Sequence, residues 1–192
     1  MASKSISRYP VPKLEDLPRD IQERFLSVQQ KAGFIPNVFF AMAHRPAEFR
    51  AFADYYDALM EKEGGLSLAE RELIVVATSA ANDCTYCVVA HGAVLRIRAR
   101  NPLLGDQVAI NYRKADLDAR EKAMLDFAMK ICLDSQTVAD EDIALLKPHG
   151  FSDEDVWDIA AIAAFFALSN RMASFLNMRP NDEYYAMARE PV

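Results

Sequence analysis

The sequence predicts an all-α protein, and three observations carry that reading. Glycine is scarce, with six in 192 residues, while Ala, Leu, Glu and Met abound, a mix that favours helices over sheets. No stretch shows the period-two alternation of strands. One helix-start pattern recurs at Leu66-Ser67-x-x-Glu70, Leu117-Asp118-x-x-Glu121 and Phe151-Ser152-x-x-Asp155. The echo is read as generic capping or as a decayed helical-hairpin repeat. At this length, with 52 % hydrophobic residues, one helical domain over 14–192 with an extended arm over 1–13 is expected.

The elements follow from local chemistry. Pro10 and Pro12 keep the arm extended. Pro18 opens a helix to about Lys31, and Gly33 ends it. Pro36 starts a short helix over Asn37 to Ala43. Pro46 opens another, in which Phe49, Phe52, Tyr55, Tyr56 and Leu59 recur at helical spacing until Gly64-Gly65. Ser67 caps a helix over Leu68 to Ala81, and Asn82-Asp83 breaks it and caps the next, Cys84 to about Arg100. Pro102 to Ile110 reads as a short helix. Asp118 caps a helix to Asp134, and Asp140 opens a short one to Lys147, closed by His149-Gly150. Ser152 caps the last long helix, reaching about Met178.

A net charge of −6 argues against nucleic-acid or anionic-membrane binding. The first ten residues hold no apolar core of signal-peptide length, and the longest nearly apolar run, Ile159 to Leu168, reads as a buried helix too short to span a bilayer. A cytoplasmic protein is expected. Three cysteines there are not a structural disulfide framework, and a close pair points to redox or metal chemistry.

The informative segment runs from Glu72 through Cys84-Thr-Tyr-Cys87 to His91. On a helix, positions 84, 87 and 91 fall within about 60° of one another, so one stripe carries Cys, Cys and His. Cysteines one turn apart lie within disulfide reach, at about 5–6 Å between Cα atoms. A cap at Asp83 or Asn82 would put Cys84 in the first turn, where the helix dipole favours a thiolate. His91, four residues after Cys87, is better placed to deprotonate Cys87 than Cys84. Glu72, in an apolar stretch on the preceding helix, is the candidate that orients the imidazole.

Other readings of the segment stand beside this one. A zinc site wants four ligands, of which Cys84, Cys87 and His91 give three and Glu72 would be the fourth. A c-type haem site needs His directly after the second cysteine, and Val88 is there; a thioredoxin fold needs strands. Two inert core cysteines are the plainest alternative. No metal or cofactor is predicted. Cys132, on a face with Ala128 and Ile131, reads as core. His44 and His149 read as helix-end residues, the Tyr55-Tyr56 and Phe165-Phe166 pairs as core or subunit contact, and Trp157 as packing under the last helix. Arg96, Arg98 and Arg100 read as a solvated helix end, with an anion or subunit contact as the alternative.

Glu72, eleven residues, then Cys84-x-x-Cys87-x-x-x-His91 resembles the AhpD-like alkylhydroperoxidase family, within the carboxymuconolactone decarboxylase superfamily. The flanks Gly33-Phe-Ile-Pro-Asn-Val, Ala43-His-Arg-Pro and Leu66-Ser-x-x-Glu70-Arg-Glu72 resemble its peroxidase-related branch, and the resemblance spans roughly residues 10–180. It implies an all-helical fold assembling as homotrimers or homohexamers, and thiol-dependent reduction of hydroperoxides. Cys87 would be the attacking thiolate, Cys84 the resolving cysteine, and His91 with Glu72 the proton relay. An external thiol or dithiol would be the electron donor. Where some relatives carry a second His before the second cysteine, this chain has Tyr86. The alternatives are a cofactor-free decarboxylase or lactone-handling enzyme, which would not need the cysteine pair, and a non-enzymatic redox sensor.

Overall fold

The structure, a computed structural model, describes residues 5–190; the first four residues of the expected arm lie outside the described residues. Among the described residues it is helical without strands. The α-helices are α1 (Arg19–Ala32), α2 (Asn37–Met42), α3 (Pro46–Met60), α4 (Leu68–Ala81), α5 (Thr85–Ala99), α6 (Leu104–Asn111), α7 (Ala119–Asp134), α8 (Asp140–Ala144), α9 (Asp153–Phe175) and α10 (Glu183–Ala186). The three expected capping boxes form, with Ser67, Asp118 and Ser152 each accepting from the N–H three residues on. Gly33 ends α1 with φ at 86°, a left-handed conformation that costs glycine little.

Helix α4 is the centre of the molecule. Every residue from Glu70 to Ser79 is buried, because α5, α6, α7 and α9 surround it. Its one buried guanidinium, Arg71, donates to Leu59 O at 2.6 Å and lies 3.5 Å from the Asp158 carboxylate, which Lys62 also meets. This pairing compensates charges that would otherwise be costly to bury, and fixes α4 against α9.

Helix α9 is the one helix among the described residues long and apolar enough to cross a membrane by length and composition. The apolar run was expected to be too short, but the helix extends beyond it at both ends. More than half of its most apolar window is buried inside the fold, so its hydrophobicity is that of a core helix.

The arm packs on its own chain. Arg8 N–H donates to Leu176 O at 2.8 Å, Arg179 N–H donates to Ile6 O at 3.1 Å, and Tyr9 packs on Phe175 and His44. Trp157 is not tucked under the last helix but 72 % exposed on it. Together with Ala164, Leu168 and Phe175 it forms an exposed apolar stripe, since these positions recur every seven or four residues.

Helices α5 and α6 touch through two glycines. A Cβ added at Gly105 would stand 2.7 Å from Gly92 O and 3.2 Å from Gly92 Cα. Gly105→Ala must therefore push apart two backbones, and is expected to cost about 1–3 kcal/mol. Urea unfolding checks this; an unchanged midpoint would show that the helices part freely.

Candidate active site

The cysteines sit where α4 reverses into α5. Asp83 adopts a left-handed φ of 51°, which lets Asp83 N–H reach Ala80 O and Cys84 N–H reach Ser79 O, both at 3.0 Å. These bonds form a Schellman closure of α4. The expected cap at Asn82 or Asp83 is thereby corrected. Cys84 itself is the N-cap of α5, without a side-chain cap bond, while Asn82 closes α4 and Asp83 makes the turn. Two helices joined so tightly leave no residue free to cap, and the left-handed conformation is one that Asp tolerates.

Both cysteines are free thiols and each is 2 % exposed. The Cys87 thiol donates to Cys84, which pulls the Cys84 thiol down to about 7, against the opposing effect of burial. Donation to Cys84 and burial push Cys87 well up. The helix N-terminus adds to the preference for negative charge on Cys84. The resting thiolate is thus on Cys84.

The cavity nevertheless meets Cys87. Its volume is about 720 Å³, and its lining includes Cys87, His91, Tyr56, Tyr86 and Phe166, but not Cys84. Exposed Lys31, Asp57 and Glu61 also line it and form its rim. Tyr86 has a structural task, accepting Val38 N–H at 3.0 Å and so tying α2 to α5. Burial raises the Tyr56 and Tyr86 hydroxyls well above the ordinary phenol value, so they present neutral hydroxyls to the cavity.

His91 and Glu72 meet. His91 Nδ1 is 2.7 Å from Glu72 Oε2, with Glu72 fully buried. Glu72 thereby sets the ring's orientation and leaves Nε2 for the cavity. Phe166 packs edge-on against the imidazole at 4.8 Å between ring centroids. The other carboxylate oxygen, Oε1, lies 3.3 Å from Arg98 Nη1. Neither atom makes a geometrically proper hydrogen bond, so the contact is an ion pair in a buried setting. Arg98 also donates to Glu61 at 2.6 Å. Of the four expected site residues, Glu72 lies on α4, Cys87 and His91 on α5 and on one cavity, and Cys84 caps α5 at its start.

Of the arginine cluster, Arg100 is an exposed helix end as expected, at the C-cap of α5, whereas Arg96 and Arg98 are engaged inside the fold. Arg98 serves Glu72, and buried Arg96 donates to the carbonyls of Tyr184 and Met187 at 2.9 and 3.0 Å, holding the C-terminal segment. Arg98 stands seven residues after His91, two helical turns along the same stripe, and that spacing was the available signal. Ser169 and Asn170 on α9 also escaped the sequence reading. Ser169 Oγ is 3.8 Å from Cys87 Sγ, and Asn170 is buried beside the pair. Phe166 is core and Tyr56 packs against it, as expected, and both also line the cavity. Cys132 is only half-buried, and its sulfur lies 3.3 Å from Asn82 Nδ2.

Comparison with known proteins gives these residues a context. The carboxymuconolactone decarboxylase family profile matches residues 46–102. No curated protein matches. Among solved structures, the alkylhydroperoxidase AhpD core, a peroxidase-related protein from Ralstonia eutropha JMP134, is 63 % identical over 99 % of this chain and 100 % of its own, with a TM-score of 0.98. A peroxidase-related protein from Silicibacter sp. TM1040 is 42 % identical over 98 % and 99 %, with a TM-score of 0.93. The debrominase Bmp8 shares the fold at 21 % identity over 93 % and 94 %, with a TM-score of 0.75. An identity of 63 % across the full length leaves one assignment: the chain belongs to the carboxymuconolactone decarboxylase superfamily, as an AhpD-like member.

Proposed function

We propose that the protein is a thiol-dependent peroxidase. The observation that carries this reading is Cys87 at the wall of a large cavity, with a second free thiol three residues before it and a carboxylate-held imidazole on the same wall. Cys87 passes its proton to Cys84 and attacks the distal peroxide oxygen. The O–O bond breaks, the sulfur becomes a sulfenic acid, and the departing alkoxide takes that proton from Cys84 through His91, which restores the Cys84 thiolate. The Cys84 thiolate then attacks the sulfenic sulfur, giving the Cys84–Cys87 disulfide and hydroxide, which takes a proton to leave as water. An external dithiol restores both thiols by exchange. A cavity of about 720 Å³ is far roomier than hydrogen peroxide needs, which favours organic hydroperoxides.

The test is hydroperoxide consumption by the wild-type protein and Cys87→Ser, with several dithiol donors. Turnover in the wild type alone supports the reading; parity between the two sinks it. The aromatic lining and the debrominase neighbour favour a second reading, in which the dithiol reductively removes halogen from an aromatic ring. Disulfide formation with stoichiometric halide release, and none with peroxide, would select it.

A cytoplasmic location accords with two buried thiols that must stay reduced. We also assign a homo-oligomer, a trimer or hexamer, and the Trp157–Phe175 stripe is the surface it would cover. Light scattering at micromolar concentration is expected to give a multiple of the chain mass, and a monomer mass would refute the assembly.

A further inference from the structure

The cavity over Cys87 has an apolar body and a charged rim. Val28, Val38, Phe39, Phe52, Tyr56 and Phe166 line it, and Arg24, Lys31, Asp57 and Glu61 bring charge to it. Three of those four charges are already answered. Arg24 Nη2 donates to Asp57 Oδ2 at 2.7 Å, and Glu61 accepts from Arg98 at 2.6 Å. Lys31, exposed in the last turn of α1, makes no ion pair among the described residues.

The Arg24 guanidinium is held but not fully used. Nη2 also reaches Ala53 O at 3.4 Å, and Nη1 stands 3.9 Å from Asp54 Oδ1, which fixes the group against α3. Its Nε is buried and has no hydrogen-bond partner among the described residues. A buried N–H without an acceptor is costly, and more so in a charged group. Arg24, Ser27 and Lys31 fall within about 60° of one another on α1, so one stripe of that helix brings a guanidinium, a hydroxyl and an ammonium to the cavity. The guanidinium and the ammonium can only donate.

We propose that the cavity binds hydroperoxides of apolar carboxylic acids, with Arg24 Nε–H and Lys31 receiving the carboxylate and the hydroperoxide reaching Cys87. The inference rests on the reading of Cys87 as the peroxide-reactive thiol. A carboxylate brings one negative charge and two acceptor oxygens, which match one unpaired cation and one unpartnered N–H. A phosphate monoester carries about −1.5 to −2, and Asp57 and Glu61 oppose that excess. A neutral hydroperoxide fills the apolar body but leaves both donors unanswered.

The test is iodoacetamide alkylation of Cys87 in the reduced full-length protein at constant pH, read by peptide mass, with decanoic acid or methyl decanoate as competitor. The two competitors share one apolar chain and differ in charge. The acid is expected to protect Cys87 saturably at about one-tenth of the concentration that the ester needs. Arg24→Gln is expected to weaken protection by the acid about tenfold, and Lys31→Gln, at an exposed position, about threefold. The ester is expected to protect both variants as it does the wild type. Thermal melting reports folding, and if Arg24→Gln unfolds, Lys31→Gln carries the same test. Equal protection by acid and ester, no saturable protection by either, or acid protection undiminished in the folded variants would overturn the proposal. Protection uses no peroxide. Acid-selective protection in a protein that consumes no hydroperoxide would strike the peroxidase reading alone. Equal turnover of a carboxylic-acid hydroperoxide and its methyl ester, with equal protection, would strike this inference alone.

Discussion

Cys87→Ser is expected to bring hydroperoxide reduction down to the rate of an ordinary free thiol, whereas Cys84→Ser is expected to complete the first step and stop at a trapped sulfenic acid on Cys87. Two effects compete in this assignment. The resting negative charge lies on Cys84, pulled down to about 7 by the Cys87 thiol, while Cys87 is pushed up. Ground-state charge alone would therefore name Cys84 as the nucleophile. Access and acid–base help favour Cys87, which lines the cavity with His91. A helix N-terminus contributes about 0.3–1 kcal/mol at an exposed site, while a positioned acid–base group contributes about 10²–10⁴-fold in rate, so the second effect wins. The coupling of the two thiols softens the conflict, because the Cys84 thiolate can accept the Cys87 proton.

The pH dependence follows with its sign. The folded-state thiol of Cys84 loses its proton at about 7, below its ordinary value of 9.0, so the pair is singly charged above that pH and uncharged below it. Single-turnover sulfenate formation in the wild type should rise as pH increases through about 7 and fall away below it. One equivalent of peroxide followed by sulfenate trapping on each variant decides the roles. A Cys87→Ser protein that still forms sulfenate at Cys84 at the wild-type rate would reverse them.

What the sequence disclosed follows the range of the interactions involved. Capping boxes are local, so the starts of α4, α7 and α9 were legible from four residues each. The Cys-x-x-Cys-x-x-x-His stripe is also local, set by helical phase. Glu72 was legible because a carboxylate in the run Leu73 to Ala77 needs a partner. The junction misled, because Asn82-Asp83 carries cap-forming residues while the chain uses Asp83 for a left-handed turn and leaves Cys84 as the cap. Arg98, Ser169 and Asn170 depend on which helices pack together, which periodicity does not report. Trp157 was placed inside by its hydrophobicity, yet α9 turns it outward because its opposite face, Ile159, Ile162 and Phe166, already fills the core. The four-residue α10 was not anticipated; Arg96 holds it through the Tyr184 carbonyl, a contact that crosses 88 residues.

Glu72→Gln is expected to slow the peroxide step by about 10²–10⁴-fold, the contribution usual for a positioned acid–base group, while the chain stays folded. The glutamine has nearly the same shape, so packing around a fully buried position is kept. What changes is charge and the proton on His91. The carboxylate accepts from His91 Nδ1–H at 2.7 Å, which leaves Nε2 unprotonated and free to take a proton at the cavity. An amide at this position can instead donate to Nδ1, and the ring then carries its proton on Nε2 and can no longer act as a base there. The carboxylate also stabilises the imidazolium formed when His91 accepts a proton, and the amide does not. The second consequence falls on Arg98. Burial works against its charge, and Glu72 and Glu61 together more than offset that. Without the Glu72 carboxylate, Arg98 keeps its 2.6 Å bond to Glu61 at the cavity rim, so the stability loss should stay near the low end of about 1–3 kcal/mol for an imperfectly paired charge. The control is Glu61→Gln, which disturbs Arg98 but leaves the His91 contact intact; its peroxide step should remain near the wild-type rate. Stopped-flow sulfenate formation and thermal melting on the same samples separate the two effects. A Glu72→Gln protein that reacts as fast as the wild type would remove the relay from the mechanism, and equal slowing in Glu61→Gln would assign the loss to Arg98 rather than to the histidine.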